Sequence, residues 1–144
     1  MAQEEKELLI KDLSARIPYK VKASYYGTDE EMECTDVIEG IIIENNDAEI
    51  IIGQYGLSVE KVKPYLFPLS SMNSAQKLEY NFIVNWIYPN TKNLPEGAIV
   101  HTNKVSALLH FYNRYYLDYN GLIEKGLAID ATGLNIYWQY DTRR

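Results

Sequence analysis

The sequence predicts an α+β fold, in which a small, bent antiparallel sheet is followed by two or three packed helices. Residues 18–69 predict the sheet, because short runs of alternating apolar and polar side chains are separated by tight-turn residues. Closure of these strands into an SH3-like barrel is an alternative form of the same sheet. Residues 73–129 predict the helices, because their apolar side chains recur at helical spacing behind a capping signal. The 144 residues have the usual length of one domain, so we expect a single domain over residues 1–144.

The first half opens with a short helix and a strand. Apolar residues at near-helical spacing predict a helix over residues 7–16, which the Ile17-Pro18 step ends. Residues 19–26 then alternate between apolar and polar side chains, which predicts a half-buried strand. The apolar side of that strand consists of Val21, Ala23 and Tyr25.

Three further β-segments are predicted over residues 33–43, 48–52 and 57–62. Gly40 marks a bulge in the first of them, and the Asn- and Asp-containing turn after it makes the first two a hairpin. The third segment is too short to distinguish a strand from a single helical turn. Pro64 and Pro68 follow it and predict an extended exit from the sheet.

The second half contains a clear helix start. Asn73 is an N-cap residue with Gln76 three positions later, which is the spacing of a capping box. The helix that follows is expected to end at Pro89. Its apolar face is predicted to be Leu78, Phe82, Ile83, Trp86 and Ile87.

The remaining segments are shorter. Residues 91–97 are predicted to form a loop, 98–100 a short strand, 119–125 a final short helix, and 134–138 a last strand. Between them lies a third helix that Thr102 or Asn103 caps. Its apolar face is predicted to be Val105, Leu108, Leu109, Tyr112 and Tyr116. Asp118 is expected to cap the final helix, and Gly126 to end it.

Charge and composition narrow the classes of function. Residues 1–72 hold 14 acidic and 7 basic residues, whereas residues 73–144 hold 6 acidic and 7 basic residues. The acidic first half disfavours broad binding to a phosphate backbone. No apolar run reaches the roughly 18 residues of a membrane span, and the acidic first residues lack the pattern of a signal peptide. We therefore expect a cytoplasmic protein with no membrane partner.

The residues that usually carry catalysis are sparse. His101 and His110 lack the second histidine or the cysteines of a zinc site, and Cys34 has no base beside it in any motif. The acidic residues of positions 29–39 lack the ligand spacing of a calcium loop. The glycine pairs at 53–56 and 121–126 lack the Lys-Ser/Thr of a phosphate-binding loop. The sequence therefore predicts no catalytic residues, no metal and no cofactor, and hence a protein that is not an enzyme.

A tyrosine-rich segment is the most suggestive candidate surface. Its members are Tyr112, Arg114, Tyr115, Tyr116 and Tyr119, which we call the Tyr/Arg cluster. Aromatic side chains beside an arginine can form a protein-binding hot spot, or can stack a base and pair with its phosphate. The structural alternative places Tyr112 and Tyr116 in the core, with Tyr115 and Tyr119 packed against the sheet.

Three segments carry a resemblance to a known family. They are DLSARIPYKVK at 12–22, KVKPYLFPLSSM at 61–72 and LDYNGLIEKGLA at 117–128, and together they cover roughly a third of the chain. In wording and order they resemble a family of uncharacterised small proteins that is frequent in Bacteroidetes genomes, phages and mobile elements. The chain departs from that family at residues 73–76, where an acidic stretch is replaced, and at residues 115–121, where aromatic residues replace polar ones. The resemblance implies no catalytic residues. Physically, the three segments look like structural joints.

These observations predict a non-enzymatic accessory or binding protein of phage or mobile-element type that acts through protein–protein contacts. Its partner would be a host protein or a further copy of the chain. The alternative is a small-ligand module that binds a nucleotide or a short single-stranded nucleic acid through the Tyr/Arg cluster.

Overall fold

The computed structural model describes residues 1–27, 32–45, 47–90 and 97–137. Three helices and a six-stranded mixed sheet confirm the α+β class, and the sheet is open rather than closed into a barrel. The helices are α1 (Gln3–Arg16), α2 (Ser74–Asn90) and α3 (Gly97–Arg114). The strands are β1 (Lys22–Tyr26), β2 (Glu33–Glu44), β3 (Asp47–Ile52), β4 (Tyr55–Ser58), β5 (Val62–Leu66) and β6 (Ile129–Asp130). No helix of the described residues has the length and apolar character needed to cross a membrane.

The strands lie in the order β4-β3-β2-β1-β5-β6. All neighbouring pairs are antiparallel except β5 and β6, which run parallel. The register between β2 and β3 shifts between Ile38 and Gly40, which confirms the predicted bulge. Gly53 turns the chain from β3 to β4 with a φ of 59°, and a Cβ on it would lie 2.6 Å from the Tyr25 hydroxyl. Glycine is therefore the residue that fits this turn.

The first strand is shorter than predicted. Residues 17–19 form a 3-10 turn and Lys20 has a φ of 59°, so β1 begins only at Lys22. The predicted apolar side is confirmed, because Val21, Ala23 and Tyr25 are buried. Ser24, expected on the polar side, is buried as well, and its hydroxyl is hydrogen-bonded to the Glu33 carboxylate.

The region before α2 also differs in detail. The segment predicted as a strand or a helical turn contains both, because β4 ends at Ser58 and residues 59–61 form a 3-10 turn. Pro64 lies within β5, opposite Ala23, and not beyond the sheet. The capping box is confirmed: Asn73 N donates to Gln76 Oε1 over 3.0 Å, and Gln76 N donates to Asn73 Oδ1 over 2.8 Å.

Two predictions for residues 97–114 are wrong. Residues 98–100 are helical rather than extended, because α3 already begins at Gly97. Thr102 and Asn103 therefore lie inside the helix and not at its start. A run of three apolar or β-branched residues fits a buried helix as well as a strand. The predicted loop falls largely on residues 91–96, which lie outside the described part of the chain, while α2 reaches Asn90, one residue beyond Pro89.

The last segment forms turns in place of the predicted elements. The Asp118 carboxylate accepts hydrogen bonds from the backbone N–H groups of Leu122 and Ile123, at 2.8 and 2.9 Å, but residues 119–125 form consecutive turns and no helix. Gly126 ends them with a φ of 73°. Residues 134–137 are not a strand, and Trp138 lies outside the described residues. Instead β6 pairs with Tyr65 and Leu66 of β5.

The three segments that carry the family resemblance meet in space. The Arg16 guanidinium donates to the Leu117 carbonyl over 2.7 Å, which joins α1 to the last segment. Phe67 N donates to the Tyr116 carbonyl, and Asp118 N donates to the Phe67 carbonyl, each over 2.8 Å. These bonds join the exit of β5 to the end of α3. The three segments, each expected to be a structural joint, therefore contact one another at a single joint of the fold.

A buried ion pair lies at this joint. Asp12 and Arg16 have no exposed surface, and Arg16 Nε donates to Asp12 Oδ1 over 2.6 Å. Asn120 Nδ2 donates to the second carboxylate oxygen over 2.8 Å. This pair was not predicted from the sequence, although Asp12 and Arg16 have the i,i+4 spacing of side chains that meet on a helix.

Candidate protein-contact surface

The Tyr/Arg cluster divides into separate contacts at the end of α3. The rings of Tyr112 and Tyr119 stack on each other, with centroids 5.2 Å apart and an angle of 23° between their planes. The Arg114 guanidinium lies 4.6 Å from the centre of the Tyr115 ring and forms a salt bridge with Glu79 of α2. Four of the five residues thus form two pairs, each of them half-buried.

Tyr116, the fifth residue, belongs to the core. It is 8% exposed and has a φ of 56°, so the chain turns sharply after α3. Its ring stacks on Tyr137 with centroids 3.7 Å apart, and its hydroxyl donates to the Tyr19 carbonyl. Burial raises the pKa of the Tyr137 phenol, whose oxygen accepts a hydrogen bond from Lys22 N over 2.6 Å. Tyr116 is therefore unavailable to a ligand.

The other tyrosine hydroxyls also have partners within the chain. Tyr115 donates to Glu79 Oε1 over 2.8 Å. Burial raises the pKa of Tyr112, and Tyr80, which is hydrogen-bonded to it, adds to the shift. Burial also raises the pKa of Tyr119, although the Arg16 guanidinium and a hydrogen bond with Asn113 act in the opposite direction.

These contacts limit what the Tyr/Arg cluster can do chemically. A base that stacked on Tyr112 from the same side would have to displace Tyr119. A phosphate would have to compete with the Glu79 carboxylate for Arg114. The main effect of the cluster is to hold α3 against α2 and against the joint around Arg16, which lies 4.8 Å from the centre of the Tyr119 ring.

A second surface lies on the outer side of α2. Leu78 is 72% exposed and Phe82 is 66% exposed, although both were predicted to face the core. The side of α2 that faces the core instead carries Gln76, which is 3% exposed, and the half-buried Tyr80 and Ile83. Residues 78 and 80 point about 200° apart on a helix, so the predicted and observed faces are nearly opposite for these positions.

The neighbouring helix explains this orientation. Phe111 of α3 is 1% exposed, and its ring centroid lies 6.0 Å from that of Tyr80. Glu79 reaches both Arg114 and Tyr115 on the same side. With Tyr80 and Glu79 directed towards α3, Leu78 and Phe82 must point away from it. Phe111 was not among the residues predicted for the apolar face of α3.

The predicted apolar face of α3 is correct only in part. Tyr116 is buried, and Leu108 and Tyr112 are half-buried. Val105 and Leu109, predicted to be on the same face, are 55% and 39% exposed. The face is rotated towards Phe111, because that ring packs against Tyr80 and Tyr115.

The exposed side of α2 forms a shallow groove of about 470 Å³. Its wall consists of Leu78, Asn81, Phe82 and Asn85, which we call the α2 face. None of these side chains is charged. Two large apolar groups flanked by two amides therefore offer a water-excluding centre and a hydrogen-bonding rim, the composition found at protein interfaces.

Features that would indicate an enzyme are few in the described part of the chain. His110 is hydrogen-bonded through Nδ1 to the Tyr19 hydroxyl over 2.8 Å, and so links α3 to the turn after α1. Among the described residues, no group of three His, Cys, Asp or Glu side chains is placed to hold a metal ion. Cys34 is a half-buried free thiol.

Comparisons of the chain with family models, with curated proteins and with solved structures find no match.

Proposed function

We propose that this chain is a non-enzymatic binding protein that acts through protein–protein contacts, and that the α2 face is its contact surface. The observation that carries the proposal is the exposure of Leu78 and Phe82 on a helix whose inner side buries Gln76. A helix on the surface of a globular protein normally turns its apolar stripe inwards. Covering a leucine or phenylalanine side chain stabilises a contact by about 1.5–3 kcal/mol per residue.

Other observations favour protein contacts over nucleotide binding. The tyrosines and Arg114 are engaged with each other and with Glu79, whereas the two apolar side chains of the α2 face are mostly exposed. The α2 face also lacks a basic group that would attract a phosphate. The family resemblance supports an accessory role of phage or mobile-element type in the cytoplasm of a bacterial host.

The proposal can be tested by replacing Phe82 with p-benzoylphenylalanine, a photoreactive aromatic residue of similar shape. Irradiation in a Bacteroidetes host should produce a discrete crosslinked species of defined mass. The additional Leu78→Ser substitution should abolish most of it, because the apolar centre of the contact is then lost. The same photoreactive residue at the exposed position of Lys11, on α1, serves as the control and should give no such species.

Two results would contradict the proposal. One is the absence of a crosslinked species at position 82. The other is an equal yield from positions 82 and 11, because crosslinking would then report collisions and not a specific surface.

A further inference from the structure

We propose that a second binding site lies at the open seam of the sheet, where it takes an extended acidic segment of a partner protein as an added β-strand. The site is separate from the α2 face, and the inference does not depend on the proposed function. Three features carry it: a groove at the seam, a free strand edge beside the groove, and two lysines in the wall of the groove.

The sheet curls until its outermost strand, β4, approaches the end of β1. The ring centroids of Tyr25 and Tyr55 lie 6.0 Å apart, although β2 and β3 separate β1 from β4 in the sheet. Gly27 allows this approach, because a Cβ at this position would lie 2.9 Å from the Tyr55 ring. No strand pairing of the described residues closes the seam, and a groove of about 370 Å³ remains there. Ligand sites typically have volumes of about 300–1,000 Å³.

The edge of β4 that faces away from β3 has no neighbouring strand in the described part of the chain. The turn between β3 and β4 has two residues, so Tyr55 and Leu57 are hydrogen-bonded to β3. The backbone N–H and C=O groups of Gly56 and Ser58 therefore point away from β3. An extended segment can add to such an edge through main-chain hydrogen bonds. Leu57 also lines the groove, so a segment held there runs beside this edge.

The wall of the groove is basic, although residues 1–72 carry 14 acidic and only 7 basic residues. Lys61 and Lys63 line the groove, and both are exposed. Neither forms an ion pair with another described residue. Glu60 also lines the groove, but its carboxylate is paired with Lys6 over 2.8 Å and so leaves the two lysines uncompensated. A segment with acidic side chains is therefore complementary to this wall.

The groove suits a protein segment better than a nucleic acid. Only a peptide has backbone amides that can pair with the edge of β4. In an extended peptide every second side chain points to the same side, so alternating acidic residues can meet the lysines while apolar residues between them cover Leu57. Ser24 lines the groove as well, but its hydroxyl already donates to the Glu33 carboxylate, so the lysines are the groups that select charge.

The test measures how a fluorescein-labelled octapeptide of alternating Glu and Val binds the purified full-length chain, by fluorescence anisotropy. We expect saturable binding that Lys61→Gln with Lys63→Gln weakens about fivefold to tenfold, because two exposed ion pairs are lost. The matched control is Lys11→Gln with Lys77→Gln, which removes the same charge from exposed positions outside the groove and should keep the affinity. An octapeptide with Lys in place of Glu should bind far more weakly.

Pairing with the strand edge has a readout of its own. In an extended peptide the N–H groups of the Glu residues point to one edge and those of the Val residues to the other. Two further peptides carry N-methyl groups either on every Glu or on every Val. One of the two should bind far more weakly than the other, because only one set of N–H groups faces β4. The amide resonances of Gly56 and Ser58 should shift during the titration with the unmethylated peptide.

Several results would overturn the inference. They are the absence of binding at millimolar peptide, equal affinities for the two double lysine variants, and equal affinities of the two methylated peptides. Tighter, lysine-dependent binding of a short oligothymidylate would assign the groove to a nucleic acid instead. Asp29, Glu30 and Glu31 lie outside the described residues, and replacing all three by their amides should leave the binding unchanged or tighten it. Loss of binding in that variant would also contradict the proposal.

Discussion

Replacing Asp12 by alanine tests whether the buried joint holds the fold together. The substitution leaves the Arg16 guanidinium without exposed surface and without its carboxylate partner. Breaking a buried pair by removing one partner destabilises a protein by about 3–5 kcal/mol, because an uncompensated charge remains inside. Domains are stable by only about 5–15 kcal/mol in total. We therefore expect Asp12→Ala to lose a large fraction of the free energy of unfolding.

Urea denaturation followed by far-ultraviolet circular dichroism measures this loss. With a slope of about 2 kcal/mol per M, the midpoint should fall by about 1.5–2.5 M. The matched control is Lys6→Ala, which breaks the salt bridge that Lys6 forms with Glu60 over 2.8 Å. Lys6 is half-buried and Glu60 is exposed, and the pair links α1 to the turn before β5. The midpoint of Lys6→Ala should fall far less than that of Asp12→Ala, because water and salt screen a partly exposed pair.

The double variant Asp12→Leu with Arg16→Met removes both buried charges and keeps side chains of similar volume. It therefore separates the cost of an unpaired buried charge from the cost of lost packing. It should recover part of the stability that Asp12→Ala loses, because apolar residues of similar volume often replace a buried pair without penalty. The Arg16 Nη1 atom is buried without a hydrogen-bond partner in the described part of the structure, which makes the native pair incompletely compensated. Equal midpoints for Asp12→Ala and Lys6→Ala would refute the reasoning, as would a double variant less stable than Asp12→Ala.

Three further predictions concern the rest of the fold. Asn73→Ala should lower the free energy of unfolding by about 1 kcal/mol in urea titrations, because it removes the cap of α2, and an unchanged value would contradict the cap. Phe111→Ala should cost about 3–5 kcal/mol, whereas Leu109→Ala, at 39% exposure, should cost far less, and similar losses would contradict the orientation of α3. Because burial raises the pKa of Tyr137 above its ordinary value of 10.0, the unfolded chain ionises first, and stability should fall as pH rises above about 10. Tyr137→Phe should flatten this alkaline fall in denaturation midpoints measured from pH 8 to 11, and an unchanged slope would exclude Tyr137 as its source.

Local chemistry explains which elements the sequence could predict. The capping box of Asn73 and Gln76 needs only residues three positions apart, and the bulge at Gly40 needs one residue without a side chain in a strand. Both were predicted correctly, because short-range hydrogen bonding and backbone freedom decide them.

Long-range packing explains most of the differences. The parallel pairing of β6 with β5 joins segments more than 60 positions apart, and no local signal marks it. Leu78 and Phe82 show apolar periodicity, but periodicity does not say which side of the helix has something to pack against. The contact of Tyr80 with Phe111 of the following helix, α3, determines which side of α2 packs inwards.

A candidate contact surface with aromatic residues could be predicted from the sequence, but the residues that form the α2 face could not. Tyrosines beside Arg114 are a reasonable signal of a contact surface, yet Tyr116 is buried and Arg114 pairs with Glu79. The α2 face became recognisable only when its apolar residues were found on the exposed side of the helix.

The most direct test of the central claim is whether the α2 face is covered when the protein is in its cell. A cysteine introduced by Asn81→Cys in a Cys34→Ser background reports on this, because Asn81 lines the face and both Leu78 and Phe82 are retained. Its alkylation rate is measured in dilute purified protein and in the host, with Lys11→Cys as the reference. Each rate is divided by the intrinsic reactivity of the reagent in the same setting. If the face is covered, the cysteine at position 81 should be alkylated several-fold more slowly in the host than in purified protein, while the cysteine at position 11 keeps its rate. Equal slowing, or no slowing, at the two positions would contradict the account.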